Sequence, residues 1–408
     1  MRRAAVPIVC SIAIPHVLLT LALPGARAYD AMAWEAVLHI MRTHGNPYGP
    51  GLLVYPPFWI QVIDVLGRIN DATGISFNTL LRITLALVEA GVALTIYDVV
   101  RRRSATPAPL RIVIVGLILN PAVILLQTIH GNFDIIVALW VVLFLRSALA
   151  YSQTNEPSDW LLACLFVGMG IVTKLSPGVL VPLLLPGFLA VGARERVLGL
   201  ALTFGPIVLA MGTLFAVNPT GARSVVSYNS IPGFFGITGL LDAAGLHSVA
   251  DLYVASFRWL LLGAVLVVAA RCARDGAPRG PAVLRVALVL LALIPVWGSG
   301  YGPQYLLWLI PPVVLLWPWA SSFERIVAAT LWVIGAITCV EEYALLPSHG
   351  AFAFSISHAT WIRSASEWAA TPGHQTMTRL PLFLGLATLT LLVGARAWRT
   401  WQLEEGSA

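Results

Sequence analysis

Residues 29–58 carry the densest set of chemically capable side chains in an otherwise apolar chain. The segment holds two carboxylates, two histidines, an arginine, an asparagine, three tyrosines and a Tyr-Pro-Pro turn. Carboxylates and imidazoles are the side chains that most often take up and release protons in enzymes. A connection between two helices needs only a few polar residues, so this density indicates a functional site. Within the segment, Tyr48 and Tyr55-Pro56-Pro57 are interpreted as structural residues of the loop, at the point where the chain turns back toward the membrane.

Lys174 is the single lysine of the chain, since every other basic residue is arginine. A lysine at the end of an apolar run can extend its ammonium group to the lipid headgroups. Alternatively, a compact ammonium group binds a phosphate as a point charge. Both interpretations stay open. Ser176-Pro177 follows directly and is expected to interrupt the helix at this point.

Polar groups that are distant in sequence flank the same side of the apolar runs. They are Asp30, then His130, Asn132 and Asp134, then Lys174, and last Tyr301, Gln304 and Tyr305. Each also has a structural interpretation. Asp30 could be merely solvated, His130 could be a structural histidine, and Asn132 or Asp134 could cap a helix. Their convergence on one face favours an active site at the membrane surface.

The elements that must position these groups are transmembrane helices. The chain is 58% hydrophobic and only 11% charged, and its mean hydropathy is +0.83, whereas soluble domains carry about 25% charged residues. Twelve apolar runs are interpreted as membrane spans, and the first of them has about the 20 residues that cross a bilayer. They are residues 4–24, 78–100, 110–127, 133–150, 160–173, 178–191, 197–217, 252–270, 286–297, 305–319, 326–346 and 380–395. The sequence therefore predicts an all-α polytopic membrane protein, with residues 1–408 as one transmembrane domain.

The arginines orient this topology. Residues 101–103 are three consecutive arginines, and most other loop arginines fall on the same side of the predicted membrane, which the positive-inside rule assigns to the cytoplasm. The polar groups then face outward, together with outer loops at residues 27–76, 218–250 and 347–378. The first loop is expected to contain amphipathic interfacial helices, including residues 56–69. The first apolar run also resembles a signal peptide, but an uncleaved helix is the favoured interpretation.

Several remaining features predict structure rather than chemistry. The basic net charge of +6 is attributed to cytoplasmic loops, so no nucleic-acid partner is expected. The four cysteines lie in or beside apolar runs and are interpreted as small hydrophobic residues. Glu89 and Arg146, which fall inside predicted spans, are interpreted as members of packing or registry pairs.

Five motifs, in matching order, resemble the GT-C superfamily of membrane glycosyltransferases, and in particular the family 87 (DUF2029-type) mannosyltransferases. They are Tyr29-Asp30, Gly45-Asn46-Pro47-Tyr48 with Tyr55-Pro56-Pro57, His130-Gly131-Asn132-Phe133-Asp134, Thr173-Lys174-Leu175-Ser176-Pro177, and Gly302-Pro303-Gln304-Tyr305-Leu306-Leu307-Trp308 with Pro311. The first motif departs from the family pattern, because Glu35 lies five residues after Asp30 where a tight acidic pair is usual.

The resemblance implies an inverting transfer of a hexose, mannose in the first instance, from a polyprenyl-phosphate sugar to a lipid or glycan acceptor. Asp30 would be the general base. The donor phosphate would contact Lys174, His130 and Tyr301, and the remaining substrate contacts would come from Asp134, Tyr48, Tyr55, Gln304 and Tyr305. No metal and no cofactor are expected.

The expected location is the bacterial cytoplasmic membrane, with membrane lipids around the protein and the site facing the periplasm or exterior. Acceptor recognition would fall to the outer loops at 218–250 and 347–378, where Tyr228 is one of several aromatic side chains. Two other classes remain open. A transporter or flippase of a lipid-linked sugar would place polar groups near mid-membrane, and an O-antigen-type polymerase or ligase would use a lipid diphosphate oligosaccharide.

Overall fold

The protein is a bundle of α-helices in the computed structural model, which describes residues 2–22, 29–49, 53–103, 108–228, 236–276, 278–300, 302–340 and 372–405. These residues form 17 α-helices and no strand, which confirms the predicted all-α class. The helices are α1 Arg2–Ala22, α2 Tyr29–Arg42, α3 Phe58–Thr73, α4 Phe77–Arg103, α5 Pro109–Val113, α6 Pro121–Thr128, α7 Asp134–Thr154, α8 Pro157–Thr173, α9 Leu185–Ala190, α10 Ala193–Val217, α11 Pro219–Ser227, α12 Gly236–Ala243, α13 His247–Asp275, α14 Pro281–Trp297, α15 Leu306–Leu316, α16 Ser322–Val340 and α17 Pro372–Glu405.

Every predicted span coincides with a helical segment. In the described part of the chain, seven helices are long and apolar enough to cross a membrane, and the pair α5–α6, bent by 52°, makes an eighth. The other four predicted spans coincide with shorter apolar segments: α8, the stretch Ser176–Ala190, α14, and α15 with its flanking turns. Prolines explain several of these breaks, because a proline cannot donate the backbone hydrogen bond that continues a helix.

The two ends of the bundle differ in chemistry. α7 has 21 residues and is about 31 Å long at 1.5 Å per residue, which matches the apolar thickness of a bilayer. In its C-terminal half, Arg146 pairs with Asp98 of α4 at 3.6 Å, and Asp98 also accepts from Arg102 at 2.6 Å. Arg285 pairs with Glu324 at 3.4 Å. Arg146 thus has a partner inside the bundle, as its interpretation as a member of a packing or registry pair requires, and the predicted site residues lie toward the opposite end of these helices.

Glu89 also has partners inside the bundle, as expected. Its Oε2 lies 2.9 Å from Nε2 of His16 in α1 and accepts from Nε2 of Gln127 in α6 at 2.9 Å. Nδ1 of His16 lies 2.6 Å from the hydroxyl of Thr128. Because an isolated buried carboxylate is strongly unfavourable, these bonds fix α1 and α4 against the end of α6 that leads into the site.

The first outer loop is mostly helical. The predicted amphipathic helix at residues 56–69 is present as α3, which buries Trp59 and Ile63 and leaves its charged residues exposed. The segment from Tyr29 to Arg42, which held most of the polar side chains, forms the second helix, α2. Trp34 of α2 packs edge-on against Trp59 at 5.5 Å between ring centroids, and against Phe133 at 5.7 Å. α2 and α3 are thus packed on the turn that precedes α7.

The other outer segments are only partly described. Residues 218–250 contain the short helices α11 and α12, and α13 begins at His247 rather than near residue 252. Most of the predicted outer loop at 347–378 lies outside the described residues, as does Tyr301.

Candidate functional site

Asp30 lies in the first turn of α2 and is held by two side chains from the turn between α6 and α7. Its Oδ2 lies 3.0 Å from Nε2 of His130 and accepts a hydrogen bond from Nδ2 of Asn132 at 2.7 Å. Among the residues that the structure describes, none hydrogen-bonds to Oδ1. The side chain is 15% exposed, and both of these contacts fall on the same carboxylate oxygen.

The turn that supplies these partners is docked directly on α2. The backbone N–H of Ala31 donates to the carbonyl of His130 at 3.0 Å, and Nε1 of Trp34 donates to the carbonyl of Gly131 at 3.1 Å. Gly131 has φ +68°, and a Cβ at this position would lie 2.9 Å from Cβ of Ala31. Only glycine fits both the left-handed conformation and this close approach. The turn therefore brings His130 and Asn132 onto Asp30.

Asp134, the first residue of α7, forms a buried ion pair with Lys174. Nζ of Lys174 lies 2.8 Å from Oδ1 and 3.0 Å from Oδ2 of the carboxylate. Asp134 is fully buried, and the Lys174 side chain is 10% exposed. Lys174 stands where α8 ends, with an extended backbone, and a 3₁₀ helix follows from Ser176. The predicted helix break at Ser176-Pro177 is confirmed, and it places the ammonium group against α7.

Aromatic rings enclose the ammonium group of Lys174. Nζ lies between 4.7 and 5.6 Å from four ring centroids, those of Trp308, Tyr55, Tyr305 and Phe133. Rings at this range attract a cation through their quadrupoles, and the attraction is stronger when water is excluded. The first loop, the α6–α7 turn and the start of α15 thus meet at Lys174, as the sequence predicted for these groups.

Two tyrosines near the carboxylates stay protonated. Burial, and next the charge of Asp30, raise the pKa of Tyr55 well above its ordinary value. Desolvation raises the pKa of Tyr228 to about 12, and the neighbouring tyrosine and carboxylates reinforce this while Lys174 opposes it. Both phenols are therefore neutral hydrogen-bond donors at ordinary pH.

The structure places the other predicted substrate residues at the edge of this cluster. Tyr48 is buried, and its hydroxyl donates to the carbonyl of Tyr55 at 3.2 Å, which agrees with its interpretation as part of the loop frame. Gln304 is half-buried in the turn Pro303–Tyr305 before α15. Among the described residues, no three histidine, cysteine or acidic side chains are grouped as metal ligands.

Asn132 was predicted as one of the converging polar groups and as a candidate helix cap, but no substrate contact was assigned to it, and Trp308 was noted only within a motif. Asn132 lies beside two predicted residues, but its sequence position suits a helix cap equally well. Nothing in the sequence shows that Asn132 reaches Asp30, which lies 102 positions earlier. Tyr228 was predicted only as one of many loop aromatics, and its interaction with both carboxylates depends on the fold.

A comparison with known protein families matches a segment of the chain that contains part of this site. A family model described as dolichyl-phosphate-mannose-protein mannosyltransferase matches residues 74–220, a little over a third of the chain. The match supports a GT-C membrane glycosyltransferase. It includes the turn at residues 130–134 and Lys174 but not Asp30, and the finer assignment to family 87 stays a prediction. No curated protein gives a significant match to the chain.

Proposed function

We propose that the protein transfers a hexose, mannose in the first instance, from a polyprenyl-phosphate sugar to a lipid or glycan hydroxyl, with inversion at the anomeric carbon. The observation that carries the proposal is the Asp30 carboxylate, which is fixed through Oδ2 and leaves Oδ1 to a substrate beside a buried lysine. A base needs to lie within hydrogen-bond reach of the proton it takes, and Oδ1 is the atom assigned to that role.

The proposed reaction is a single displacement. The acceptor oxygen forms the new bond to the anomeric carbon while Oδ1 of Asp30 takes its proton. The bond between the anomeric carbon and the phosphate oxygen breaks, and its electron pair leaves with the lipid phosphate. Positive charge develops on the sugar as in other glycosyl transfers, so a nearby carboxylate stabilises the transition state. His130 bonds to Asp30 in the structure, so its proposed role shifts from the donor phosphate to the base.

The departing phosphate requires cationic and neutral donors. Lys174 uses its ammonium group on Asp134, and a third N–H remains for a phosphate oxygen. Tyr228 and Tyr55, which stay protonated, are proposed as further donors, and Tyr301 retains the role expected from the resemblance. Asp134 is then the residue that holds Lys174 rather than a direct substrate ligand.

An apolar cavity supports a lipid-borne donor. Its volume is about 540 Å³, and it lies between the segment at residues 108–120, α15, α16 and α17. The cavity begins at Leu306, directly after Tyr305 of the site, and continues along α15 to Trp317. A polyprenyl chain in this cavity would be shielded by apolar side chains while its phosphate reached Lys174.

The proposed location is the bacterial cytoplasmic membrane, with the site on the outer face. The arginines gathered at the other end of the bundle support this orientation under the positive-inside rule. An outer site has no access to cytoplasmic nucleotide sugars, which is consistent with a lipid-linked donor.

A donor comparison tests the proposal. Purified protein in vesicles is given radiolabelled polyprenyl-phospho-mannose, a lipid diphosphate oligosaccharide or a nucleotide sugar, each with a lipid and glycan acceptor extract. Label in an acceptor from the monophosphate donor alone is the expected result. Transfer only from the diphosphate donor would indicate a polymerase or ligase. Movement of the intact donor between leaflets without transfer would indicate a flippase, and either result would contradict the proposal.

A further inference from the structure

Asn132 uses both ends of its amide, and the two ends serve different elements. Oδ1 accepts from the backbone N–H of Asp134, the first residue of α7, at 2.7 Å, from a position one residue ahead of the N-cap Phe133. Nδ2 donates to Oδ2 of Asp30 in α2 at 2.7 Å. The side chain is almost fully buried, with 1% of the residue exposed. One residue therefore joins the carboxylate of Asp30 to the helix that carries Asp134 and, through it, Lys174.

Helix capping alone does not account for the second bond. Asn120, the N-cap of α6, also accepts through Oδ1 from an N–H two residues further on, that of Ala122 at 2.9 Å. In the described part of the chain, Nδ2 of Asn120 has no hydrogen-bond partner. Serine, threonine and aspartate cap helices about as well as asparagine. The amide donor at position 132 thus has a requirement of its own, and Asp30 is the group that uses it.

We infer that Asn132 is a positioning residue for the base: its Nδ2–H fixes the rotation of the Asp30 carboxylate so that Oδ1 faces the acceptor hydroxyl. Nε2 of His130 lies 3.0 Å from the same oxygen, so both contacts from this turn fall on Oδ2 and neither occupies Oδ1. The inference rests on the proposed function, because it assigns Asn132 a role only if Asp30 is the base.

Two substitutions separate the cap from the donor. Asn132→Asp retains an acceptor for the N–H of Asp134, but it removes the donor and places a second carboxylate 2.7 Å from Asp30, where two carboxylates share a proton. Asn132→Ser keeps an acceptor for the cap and is too short to reach Asp30. Asn155→Asp is the matched control, because Asn155 is exposed at the other end of the same helix.

The experiment measures kcat, KM and the pH profile of sugar transfer together with the thermal midpoint of each purified variant. For Asn132→Asp we expect an unchanged donor KM, a kcat lower by on the order of a hundredfold, and an acid limb moved upward by about one pH unit or more. Its midpoint falls, because a second buried carboxylate lies beside Asp30, but stays above the assay temperature. For Asn132→Ser we expect a lower kcat and a modestly lower midpoint, without a displaced limb. Asn155→Asp is expected to match wild type.

Two results would overturn the inference while leaving the base assignment intact. One is wild-type kcat and pH profile in Asn132→Asp beside an inactive Asp30→Asn. The other is a loss of kcat in both Asn132 variants in step with the thermal midpoint, with the wild-type acid limb in Asn132→Asp, which would make the bond from Nδ2 a packing contact only. Full activity in Asp30→Asn would instead refute the base assignment, and with it the role of Asn132, while the donor comparison tests the transfer itself.

Discussion

Removing Lys174 leaves the Asp134 carboxylate buried without its cation. We therefore predict that substitution of Lys174 lowers the stability of the protein more than substitution of Asp134. At 2.8–3.0 Å, two unit charges attract by about 6 kcal/mol at an effective dielectric constant of about 20. Breaking such a buried pair from one side costs about 3–5 kcal/mol, because the remaining charge stays desolvated. Lys174→Met removes the cation from a fully buried Asp134, so we expect the upper part of this range.

The opposite substitution is expected to be milder. In Asp134→Asn, the amide oxygen still accepts one bond from Lys174, and the four surrounding rings still attract the ammonium group by about 2 kcal/mol or more at a desolvated site. The double variant Asp134→Asn/Lys174→Met contains no buried charge at this position. We therefore expect it to be more stable than Lys174→Met alone, although inactive.

Thermal midpoints of the detergent-solubilised proteins measure the order. Unfolding of such proteins is often irreversible, so the ranking at one scan rate is the quantity to compare. The expected ranking is wild type, then Asp134→Asn, then the double variant, with Lys174→Met last. The reasoning is refuted if Lys174→Met is as stable as Asp134→Asn, or if the double variant is no more stable than Lys174→Met.

Three further outcomes follow from the same structure. Gly131→Ala is expected to lower both the thermal midpoint and kcat, since a strained backbone costs about 1–3 kcal/mol and the new Cβ meets α2. Gly74→Ala is the control, because Gly74 also has a positive φ, +73°, but has open space around it. This variant introduces backbone strain without a steric clash and should retain kcat. His16→Leu is expected to lower the thermal midpoint, because Glu89 stays buried without its imidazole partner. The double variant His16→Leu/Glu89→Leu is expected to restore the midpoint. If the single and the double variant had the same midpoint, the pairing would be refuted. The pKa of Tyr228 is raised to about 12, so its phenol remains protonated between about pH 6 and 9. The alkaline side of the plot of transfer rate against pH should therefore have the same shape in Tyr228→Phe as in wild type. A limb present only in wild type would show that this phenol ionises.

Much of the fold could be predicted from hydropathy. Apolar runs can be recognised without knowledge of their neighbours, so all twelve predicted spans coincide with helical segments, although four of these segments are shorter than a bilayer span. Prolines marked the break after Lys174 for the same local reason. The boundaries of the outer segments were less predictable. The short helices α11 and α12 lie in a stretch that was interpreted as a loop. They were missed because short helices on a polar surface depend on tertiary packing more than on their own sequence.

The site was predictable in composition but not in pairing. The residues that converge were identified from their position at the ends of apolar runs, and the structure brings Asp30, His130, Asp134, Lys174 and Tyr305 together. Neither interpretation of Lys174, at a headgroup or at a phosphate, included its ion pair with a residue 40 positions away. Pair partners of this kind depend on which helices pack together, and a single sequence contains no direct signal for that.

The central claim is that Asp30 takes the proton of the acceptor hydroxyl. Asp30→Asn keeps the size of the side chain and removes the base, so the rate of mannose transfer from polyprenyl-phospho-mannose in vesicles tests it most directly. The expected result is a loss of about 10²–10⁴-fold in kcat with the thermal midpoint and donor binding retained. Transfer at the wild-type rate by folded Asp30→Asn would contradict the claim.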